Sequence, residues 1–429
     1  MNYKAQILRI NNIREIENAD FIKSGTVQGN EVIIGKHVNE GDLGLYFQVG
    51  SQISEEFCFN NNLFRDPTLN KDRNQTGFFD RNRKVKPKKI KGRISNGFWI
   101  GLESLSFIGE INLKEFDEID RINDIEICQK FLPPAKNKSV VKIKTSPKPS
   151  EEKIPMFKEH YDTGYIGANL HKINLNDRLI ITEKLHGTSF RVGNVKVRGK
   201  SRFFNLWPEK DKWILLNGTR RTIINFRRKY KAYQNESVRV KIFEEISENL
   251  HKGEVIYGEI VGYEATGNPI MPKANVRNSD LIKRYGKELV YSYGCENGGY
   301  DFFVYRIAMM NEDGVEFNYP WRDIEKRCKE LNIKVVPFIM ETTLEDFAKT
   351  NMINPNNLRE VGAKFLEYIK EISNGDSSLD NRHLKEGVCV RVESALDEKT
   401  YKYKSFDFVT IEDETIENGI VDVEMGEEL

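Results

Sequence analysis

The segment from Glu183 to Phe190, EKLHGTSF, offers a lysine between an apolar run and a glycine. The residues before it, Arg178 to Thr182, predict a β-strand that delivers Lys184 to the edge of a pocket. Gly187 and the two hydroxyl residues after it can direct N–H and O–H groups toward phosphate oxygens. A lysine in this position can act as a covalent nucleophile, although a single KxxG segment is more often a surface lysine before a hairpin turn.

Five further segments follow Lys184, and each carries residue types that suit nucleotide chemistry. In chain order they are VRGKSRFF with Ser201 and Arg202, EVIYGEIVGY with Glu259, DFFVYRI with Phe303 and Tyr305, LKEGVCVRVES with Glu386, and YKYKSF with Lys402 and Lys404. Each segment alone is weak evidence for nucleotide chemistry. In this order, the series resembles the six motifs of covalent nucleotidyltransferases, which include ATP-dependent RNA and DNA ligases and mRNA capping guanylyltransferases. The first motif is similar to that of RNA-editing ligases.

The resemblance implies that Lys184 attacks the α-phosphorus of ATP and holds AMP as a lysyl phosphoramidate. A lysine with a pKa of about 10.4 is the free amine in only about one molecule in a few thousand at pH 7. We therefore expect Lys402, Lys404, Arg202 and a bound divalent metal to lower the pKa of Lys184. A strand bearing Lys-x-Lys projects both lysines to one face, where they would offset charge on the α-phosphate.

Two carboxylates have expected roles in the same chemistry. The resemblance assigns Glu259 to ribose hydroxyls or a metal-bound water, and Glu386 to a divalent metal, Mg²⁺ or Mn²⁺. Hard cations of this kind prefer one or two carboxylates together with waters and phosphate oxygens. Taken alone, each glutamate is more often a solvated strand residue. The expected nucleotide-binding set is completed by Glu183, Gly187, Ser201 and Arg202.

An aromatic ring that stacks on adenine is expected in the segment DFFVYRI. We favour Tyr305 over Phe303, because the family presents its aromatic residue late in this strand. Alternating aromatics in a strand more often belong to a core. The family commonly has aspartate after this aromatic residue, whereas Arg306 stands here. The alignment of this segment with the family motif is therefore fixed only to within a residue or two.

Two further residues near the nucleophile have alternative interpretations. His186 stands where many ligases have aspartate, and a neutral imidazole cannot offer the same anion to a hydrated metal. His186 either donates to a phosphate or holds the turn. Arg178 is assigned to a 5′-phosphate or to the pyrophosphate leaving group, although an arginine at the start of a strand is usually only solvated.

The distribution of charge is more informative than its sum, since 66 basic residues nearly balance 65 acidic ones. Residues 81–93 are densely cationic, residues 220–233 interleave arginines with aromatics, and no Lys or Arg follows Ser405. We expect both basic stretches to contact RNA, because Lys and Arg meet phosphates and rings stack on bases. The alternative is a pair of solvated loops. The expected RNA or phosphate contacts are Arg178, Arg191, Lys88, Lys89, Lys91 and Arg93.

The compartment follows from the cysteines and the amino terminus. Five scattered cysteines without a CxxC pair indicate a reducing compartment and no structural zinc. The chain begins without the apolar run of a signal peptide, and no later run is long enough to span a membrane. We expect an intracellular, cytoplasmic and soluble protein without a membrane partner, whose oligomeric state is open.

The first 130 residues read as short strands separated by turns. The clearest strands are predicted at Tyr3–Ile10, Ile22–Val27, Glu31–Gly35 and Leu43–Val49. Their arrangement resembles the OB modules that precede the catalytic domain in certain bacterial RNA ligases, which are small barrels that bind oligonucleotides on one face. The predicted class is therefore α+β, with an OB-like barrel at 1–130 followed by a nucleotidyltransferase domain of antiparallel sheets flanked by helices.

The rest of the chain divides into a linker, a catalytic domain and a tail. Residues 131–156 are rich in Pro, Lys and Ser, which predicts a linker. Residues 157–410 alternate strand and helix patterns, and residues 411–429 are predicted as an acidic tail. The clearest helices are expected at Ser237–Leu250, Trp321–Leu331 and Asn357–Ile372, the last with Leu358, Val361, Phe365, Ile369 and Ile372 on its packing face.

Chain order separates the candidate functions. Twenty-five residues follow Lys404, too few for the OB domain that DNA ligases and capping enzymes carry after this motif. This favours an ATP-dependent RNA ligase that joins 3′-hydroxyl and 5′-phosphate ends of RNA through a lysyl-AMP enzyme and an adenylylated RNA 5′ end. Two alternatives stay open: a catalytically silent RNA-binding protein on a ligase scaffold, and a capping-type guanylyltransferase, which GTP labelling would reveal.

Overall fold

A computed structural model describes most of the chain. The described residues are 3–109, 111–132, 154–197, 201–202, 207–208, 211–224, 236–394 and 398–417. Most of the predicted linker at 131–156 and most of the basic stretch at 220–233 lie outside the described residues. The domain boundaries therefore stay predictions.

The first 130 residues form small antiparallel sheets around an apolar core. One sheet has the strand order Glu118–Ile119, Ala5–Arg9, Leu43–Phe47, Phe98–Gly101, and another has the order Asn11–Glu15, Ile22–Val27, Asn30–Gly35. Paired strands are Ser51–Ile53 with Cys128–Lys130, Lys88–Ile90 with Arg93–Ser95, and Arg121–Ile122 with Ile125–Glu126. The helical turns are Glu55–Asn60, Pro67–Leu69 and Leu102–Ile108. Alternate strand residues such as Ile7, Leu45 and Phe47 are buried in this core, as a period of two requires.

Two larger sheets make up the second half. The first, which we call the cleft sheet, has the order Gly164–Tyr165, Glu398–Lys404, Gly387–Glu393, Arg178–Lys184, Phe338–Thr342. The second sheet has the order Lys212–Gly218, Thr188–Val197, Glu254–Gly262, Tyr300–Met310, Glu316–Asn318, and Lys334–Val335 also pairs with Tyr300–Met310. Shorter pairs are Ser201–Arg202 with Trp207–Pro208 and Ala274–Asn275 with Glu288–Leu289. Both large sheets are antiparallel apart from the pairings of Gly164–Tyr165 and Lys334–Val335.

Helices pack against both large sheets. The helices are Ile166–Asn169, Glu236–Ile246, Ser279–Tyr285, Trp321–Glu330, Leu344–Thr350, Leu358–Ile372 and Phe406–Glu417, with 3₁₀ turns at Leu170–Lys172 and Ser247–Asn249. One core packs Leu179 and Ile181 of the cleft sheet against Phe347 and Phe365 of two helices. Among the described residues, no helix has both the length and the apolar character needed to cross a membrane.

The predicted elements are largely confirmed, with two differences. The strand at Ile22–Val27 and the helices near Glu236, Trp321 and Leu358 lie where the patterns placed them. Leu358 was expected on the packing face and is 63% exposed, because it occupies the first turn, ahead of the buried residues Val361, Phe365 and Ile369.

The second difference concerns the acidic end of the chain. Residues Phe406–Glu417 form a helix whose Phe408 and Ile411 are buried in the core of the second half. The segment predicted as a tail from residue 411 therefore begins inside a packed helix, because apolar residues are interleaved with its acidic ones.

Candidate active site

Three strands of the cleft sheet align the predicted motif residues in rows. Lys184 lies opposite Gly387, which lies opposite Lys404, and Thr182, Cys389 and Lys402 form the next row. Residues directly opposite each other in a sheet project to the same side, as do residues two apart in one strand. Lys184, Lys402 and Lys404 therefore share one face of the sheet, and all three line a cleft of about 370 Å³.

Glu386 is the centre of the contacts at this face. Lys184 Nζ donates to Glu386 Oε2 at 2.8 Å, and Lys404 Nζ lies 3.1 Å from Glu386 Oε1. Gly387 stands between the two lysines, where a Cβ would lie 2.0 Å from the carbonyl oxygen of Tyr403. The glycine therefore lets the strands approach closely and leaves room for both amines to reach one carboxylate.

These contacts set the protonation states of Glu386 and Lys184. Burial raises the pKa of Glu386, but the lysines at 184 and 404 outweigh it and hold the pKa at about 2. Burial lowers the pKa of Lys184, but the Glu386 carboxylate more than offsets this, so the pKa is raised. The expected lowering of the Lys184 pKa by its cationic neighbours is therefore wrong for this arrangement, because the nearest charge is an anion.

Lys402 differs from its two neighbours. Burial, followed by the positive charges of Lys404 and Lys184, lowers the pKa of Lys402 to about 7. Lys404 has a raised pKa, since Glu412 and Glu386 outweigh the effect of its burial. The two lysines of the Lys-x-Lys segment thus face one cleft with opposite shifts.

The second sheet supplies the opposite wall through Glu259. Glu259 pairs in register with Ser189 and Phe303 and lines the cleft. A Cβ at Gly187 would lie 2.3 Å from the carbonyl oxygen of Ile260 and 2.9 Å from Glu259 Cγ. Only a glycine at 187 therefore allows the turn after Lys184 to pass this close to the strand that bears Glu259.

The structure separates the two candidate stacking rings. The register of the strand Tyr300–Met310 shifts by one residue between Val304 and Arg306, which makes Tyr305 the extra residue of a β-bulge. Tyr305 lines the cleft, and its hydroxyl contacts His160. Phe303 is 3% exposed, packs in the core under Lys334 and is not among the residues that line the cleft.

His186 and Glu183 are held by neighbouring groups. His186 packs edge-on against Tyr291 and Phe408, and its backbone N–H donates to the Tyr293 hydroxyl at 2.6 Å. Burial lowers the pKa of His186 to about 4, so the ring is neutral. The Glu183 carboxylate accepts from both hydroxyls of Ser377 and Ser378 at 2.6 Å, and from the Ser378 N–H at 2.9 Å. The Glu183 side chain therefore fixes the end of the strand, and its assignment to the nucleotide stays a prediction.

Two predicted phosphate contacts, Arg178 and Arg191, have other partners in this structure and stay predictions. Arg178 donates to both carboxylate oxygens of Glu341, at 2.6 and 2.8 Å, and to Glu393 at 3.0 Å. Arg191 is 1% exposed, with its guanidinium 4.6 Å from the centre of the Phe157 ring. Neither arginine lines the cleft, because carboxylates hold the first and burial encloses the second.

The basic hairpin at Lys88–Ile90 and Arg93–Ser95 lies on the first half of the chain. Lys89 and Lys91 are exposed, whereas Lys88 and Arg93 are half-buried, with Lys88 Nζ 4.1 Å from the centre of the Phe78 ring. Lys89 is close enough to Asp407 to affect its pKa, which places the hairpin beside the helix Phe406–Glu417. Ser201 and Arg202 form a strand whose side chains lie outside the described part, so their assignment stays a prediction.

Sequence reasoning missed several residues of the cleft. Lys404 Nζ contacts both oxygens of Glu412, at 2.8 and 3.0 Å, and Asp413 contacts Lys84 of the first half at 2.5 Å. Arg220, the first residue of the predicted basic stretch at 220–233, lines the cleft and is bound to Asp162 at 2.7 Å, a partner that the sequence did not predict. The apolar spacing of Phe408 and Ile411 could have indicated a packed helix that brings Glu412 back to the site, whereas no local signal marks Asp162.

Comparisons with known proteins agree with this architecture. Residues 177–404, more than half of the chain, match a family model described as RNA ligase. Residues 4–102 match a model described as an OB-fold domain. The chain therefore belongs to the RNA ligase family, and the predicted family and fold class are confirmed. No curated protein sequence matches the chain.

Solved structures of an RNA ligase from Naegleria gruberi are similar over nearly the whole chain. An alanine variant without ligand has 18% identity and a TM-score of 0.59, and covers 95% of this chain and 98% of that one. A variant with ATP and Mn has 17% identity, a TM-score of 0.58 and coverages of 97% and 98%. The form with pyrophosphate has 18% identity, a TM-score of 0.58 and coverages of 94% and 96%. At this identity the likeness shows the shared fold.

Proposed function

We propose that the protein is an ATP-dependent RNA ligase that acts through a lysyl-AMP intermediate on Lys184. The observation that carries the proposal is the convergence of Lys184, Lys404 and Glu386 on one face of the cleft. The Naegleria ligase of the same fold has been solved with ATP and Mn, which supports ATP as the AMP donor here. RNA as the substrate follows from the family.

The raised pKa keeps Lys184 as an ammonium in the free protein, so the proposed first step begins with loss of a proton to solvent. The free amine then forms a bond to the α-phosphorus of ATP as the bond to pyrophosphate breaks, and a second amine proton leaves to solvent. Lys402 and Lys404 lie on the same sheet face as Lys184, so their amines can offset the charge that builds on the phosphate oxygens. Tyr305 and Glu259 on the opposite wall are proposed to contact the adenine ring and the ribose.

The donor set fits a divalent cation that is shared with phosphates. Among the residues that the structure describes, no three His, Cys, Asp or Glu side chains form a metal-binding group. Glu386 and Glu259 nevertheless line the same cleft, and Mg²⁺ or Mn²⁺ commonly binds through one or two carboxylates with waters and phosphate oxygens. Such a cation would neutralise part of the phosphate charge.

The RNA ends are proposed to bind across both halves of the chain. AMP would pass to an RNA 5′-phosphate, and a 3′-hydroxyl would then attack this end and release AMP. Lys89, Lys91 and the rest of the basic hairpin lie beside the helix Phe406–Glu417, whose Glu412 contacts the site lysine Lys404. We infer from this position that the hairpin holds phosphates of an RNA strand that reaches the cleft.

The test is incubation of the full chain with α-labelled ATP and Mg²⁺ or Mn²⁺. Wild type should carry acid-resistant label, and Lys184→Ala should carry none. Lys196→Ala is the matched control, because this lysine also lies on a strand and pairs with carboxylates, 2.8 Å from Glu312, but outside the cleft. Equal labelling of wild type and Lys184→Ala would remove Lys184 from its role, and labelling by GTP instead of ATP would favour a capping-type enzyme.

A further inference from the structure

The segment that precedes the family-matched region places a histidine in the cleft. His160 lies ahead of residues 177–404 and lines the cleft at 5% exposure. One ring nitrogen, Nδ1, contacts the Tyr305 hydroxyl, and the ring packs edge-on against Tyr257 with centroids 5.1 Å apart. The other ring nitrogen, Nε2, is buried and has no hydrogen-bond partner among the described residues.

The surroundings of His160 define what Nε2 can bind. Burial, followed by the positive charges of Arg191, Arg220 and Arg306, holds the pKa of His160 well below its usual range, so the ring is neutral. A phenol is a better donor than a neutral imidazole, so we assign the Tyr305 O–H as donor to Nδ1. The remaining ring proton then lies on Nε2.

We propose that the Nε2–H of His160 is a phosphate-binding donor of this cleft, contacting a phosphate oxygen of the substrate. The proposal rests on the proposed ligase function for the identity of that substrate. A donor surrounded by arginine charge favours an anionic acceptor. Two sources offer this chemistry, the polyphosphate of ATP and the phosphate at an RNA 5′ end.

A purely structural histidine would be expected to satisfy both of its ring nitrogens. A buried donor left without an acceptor destabilises a protein, whereas a substrate oxygen would satisfy it on binding. Arg220, which also lines the cleft, is close enough to influence the pKa of Lys402. The surroundings of His160 are thus continuous with the lysines of the cleft sheet.

Two substitutions test the roles of the two ring nitrogens of His160 separately. In His160→Asn the amide can reach the position of Nδ1 and keep the Tyr305 contact, while nothing occupies the position of Nε2. In His160→Gln the longer side chain places an N–H near the position of Nε2. His251→Asn is the matched control, because His251 is exposed and outside the cleft.

The full-length variants are compared in two assays. One measures enzyme adenylylation against ATP concentration, and the other measures sealing of an RNA that already carries AMP on its 5′ end, without ATP. His160→Asn should lose about tenfold or more in at least one assay, since hydrogen bonds to charged groups have this strength, and His160→Gln should recover most of the loss. A loss with ATP identifies the nucleotide phosphates, and a loss confined to the adenylylated RNA identifies the RNA phosphate.

Two results would overturn the proposal. One is wild-type behaviour of His160→Asn in both assays, and the other is equal impairment of the Asn and Gln variants, which would indicate a packing role. Failure of wild type to label with ATP would instead count against the ligase function.

A measurement on the wild-type protein needs neither variant folding nor catalysis. ¹⁵N resonances of the histidine rings are followed as inorganic pyrophosphate or a 5′-phosphorylated RNA oligonucleotide is added. The proposal expects a protonated Nε2 on His160 whose resonance shifts with at least one of the two probes. An unprotonated Nε2, or a resonance that moves with neither probe, would contradict it.

Discussion

The two ends of the strand Arg178–Lys184 carry cations on the same face but use them differently. At one end, Arg178 is held by two bonds to Glu341 and one to Glu393. At the other end, Lys184 and Lys404 converge on the single carboxylate of Glu386. The lysine end lines the cleft and the arginine end does not.

This difference shows that a charged pair gains function from its position rather than from its charges. The planar guanidinium of Arg178 matches two carboxylate oxygens at once, so the pair is geometrically complete. A lysine amine has no such fixed geometry and can exchange one oxygen partner for another. At Lys184 a phosphate can enter the contact from the cleft, whereas Arg178 lies outside the cleft with both of its partners in place.

The largest expected effect comes from removing the charge that both lysines share. Glu386→Gln keeps the size of the side chain but withdraws the anion from Lys184, Lys404 and any divalent cation. Lysine adenylylation should fall by about 100-fold or more, the usual scale for loss of a charged group at a reacting centre. The same change at the other end, Glu341→Gln, should leave the labelling rate nearly unchanged. Similar losses in both variants would erase the distinction between the two ends.

A second prediction concerns pH and Lys402. Lys402 has a folded pKa of about 7, lowered by burial and by Lys404 and Lys184, with Glu386 opposing and Arg220 adding to the shift. The unfolded chain keeps this lysine protonated up to about pH 10.4, so between these values the unfolded state binds more protons and stability rises with pH. Lys402→Met removes that contribution. Urea unfolding at several pH values should therefore show a smaller rise for Lys402→Met than for wild type, and parallel curves would contradict the shift.

A third prediction concerns the helix that sequence reasoning took for a tail. Glu412 contacts Lys404 through both oxygens, and both side chains are about one-quarter exposed. Glu412→Gln should free Lys404 for phosphates and lower the KM for ATP by up to about fivefold, the scale of a partly exposed ion pair. Steady-state labelling against ATP concentration measures this. A raised KM would instead make Glu412 a positioning residue for Lys404.

Local patterns predicted the parts of the site that lie on regular strands. The period of two in YKYK placed Lys402 and Lys404 on one face, and the alternation around Lys184 gave its strand. What local patterns could not give was the partner of each charge. Arg178 and Glu341 are far apart in sequence, and so are Glu183 and Ser377, so only the sheet register and a returning loop bring them together.

The pKa of Lys184 also depends on a partner that local sequence patterns could not predict. From sequence, the nearest charges were expected to be the lysines of the last motif, which would lower the pKa. The fold places Glu386 at 2.8 Å instead, and a carboxylate at that distance has the opposite effect. Likewise, the β-bulge at Tyr305 could not be read from the alternation of aromatics, although it decides which ring faces the cleft.

The smallest expected effect on activity belongs to the arginine end of the strand. Arg178 is 27% exposed and its partner Glu341 is 35% exposed, so Arg178→Ala should lower the free energy of unfolding by about 1 kcal/mol, as partly solvated pairs do. Urea unfolding gives this value, and Arg178→Lys, which keeps the charge but loses the two-oxygen geometry, should fall between Ala and wild type. Labelling with ATP and sealing of adenylylated RNA should both stay close to wild type. A sealing defect in Arg178→Ala at unchanged stability would identify this arginine as a phosphate contact. Both ends of the strand would then bind phosphates, with Lys184 acting on ATP and Arg178 on RNA.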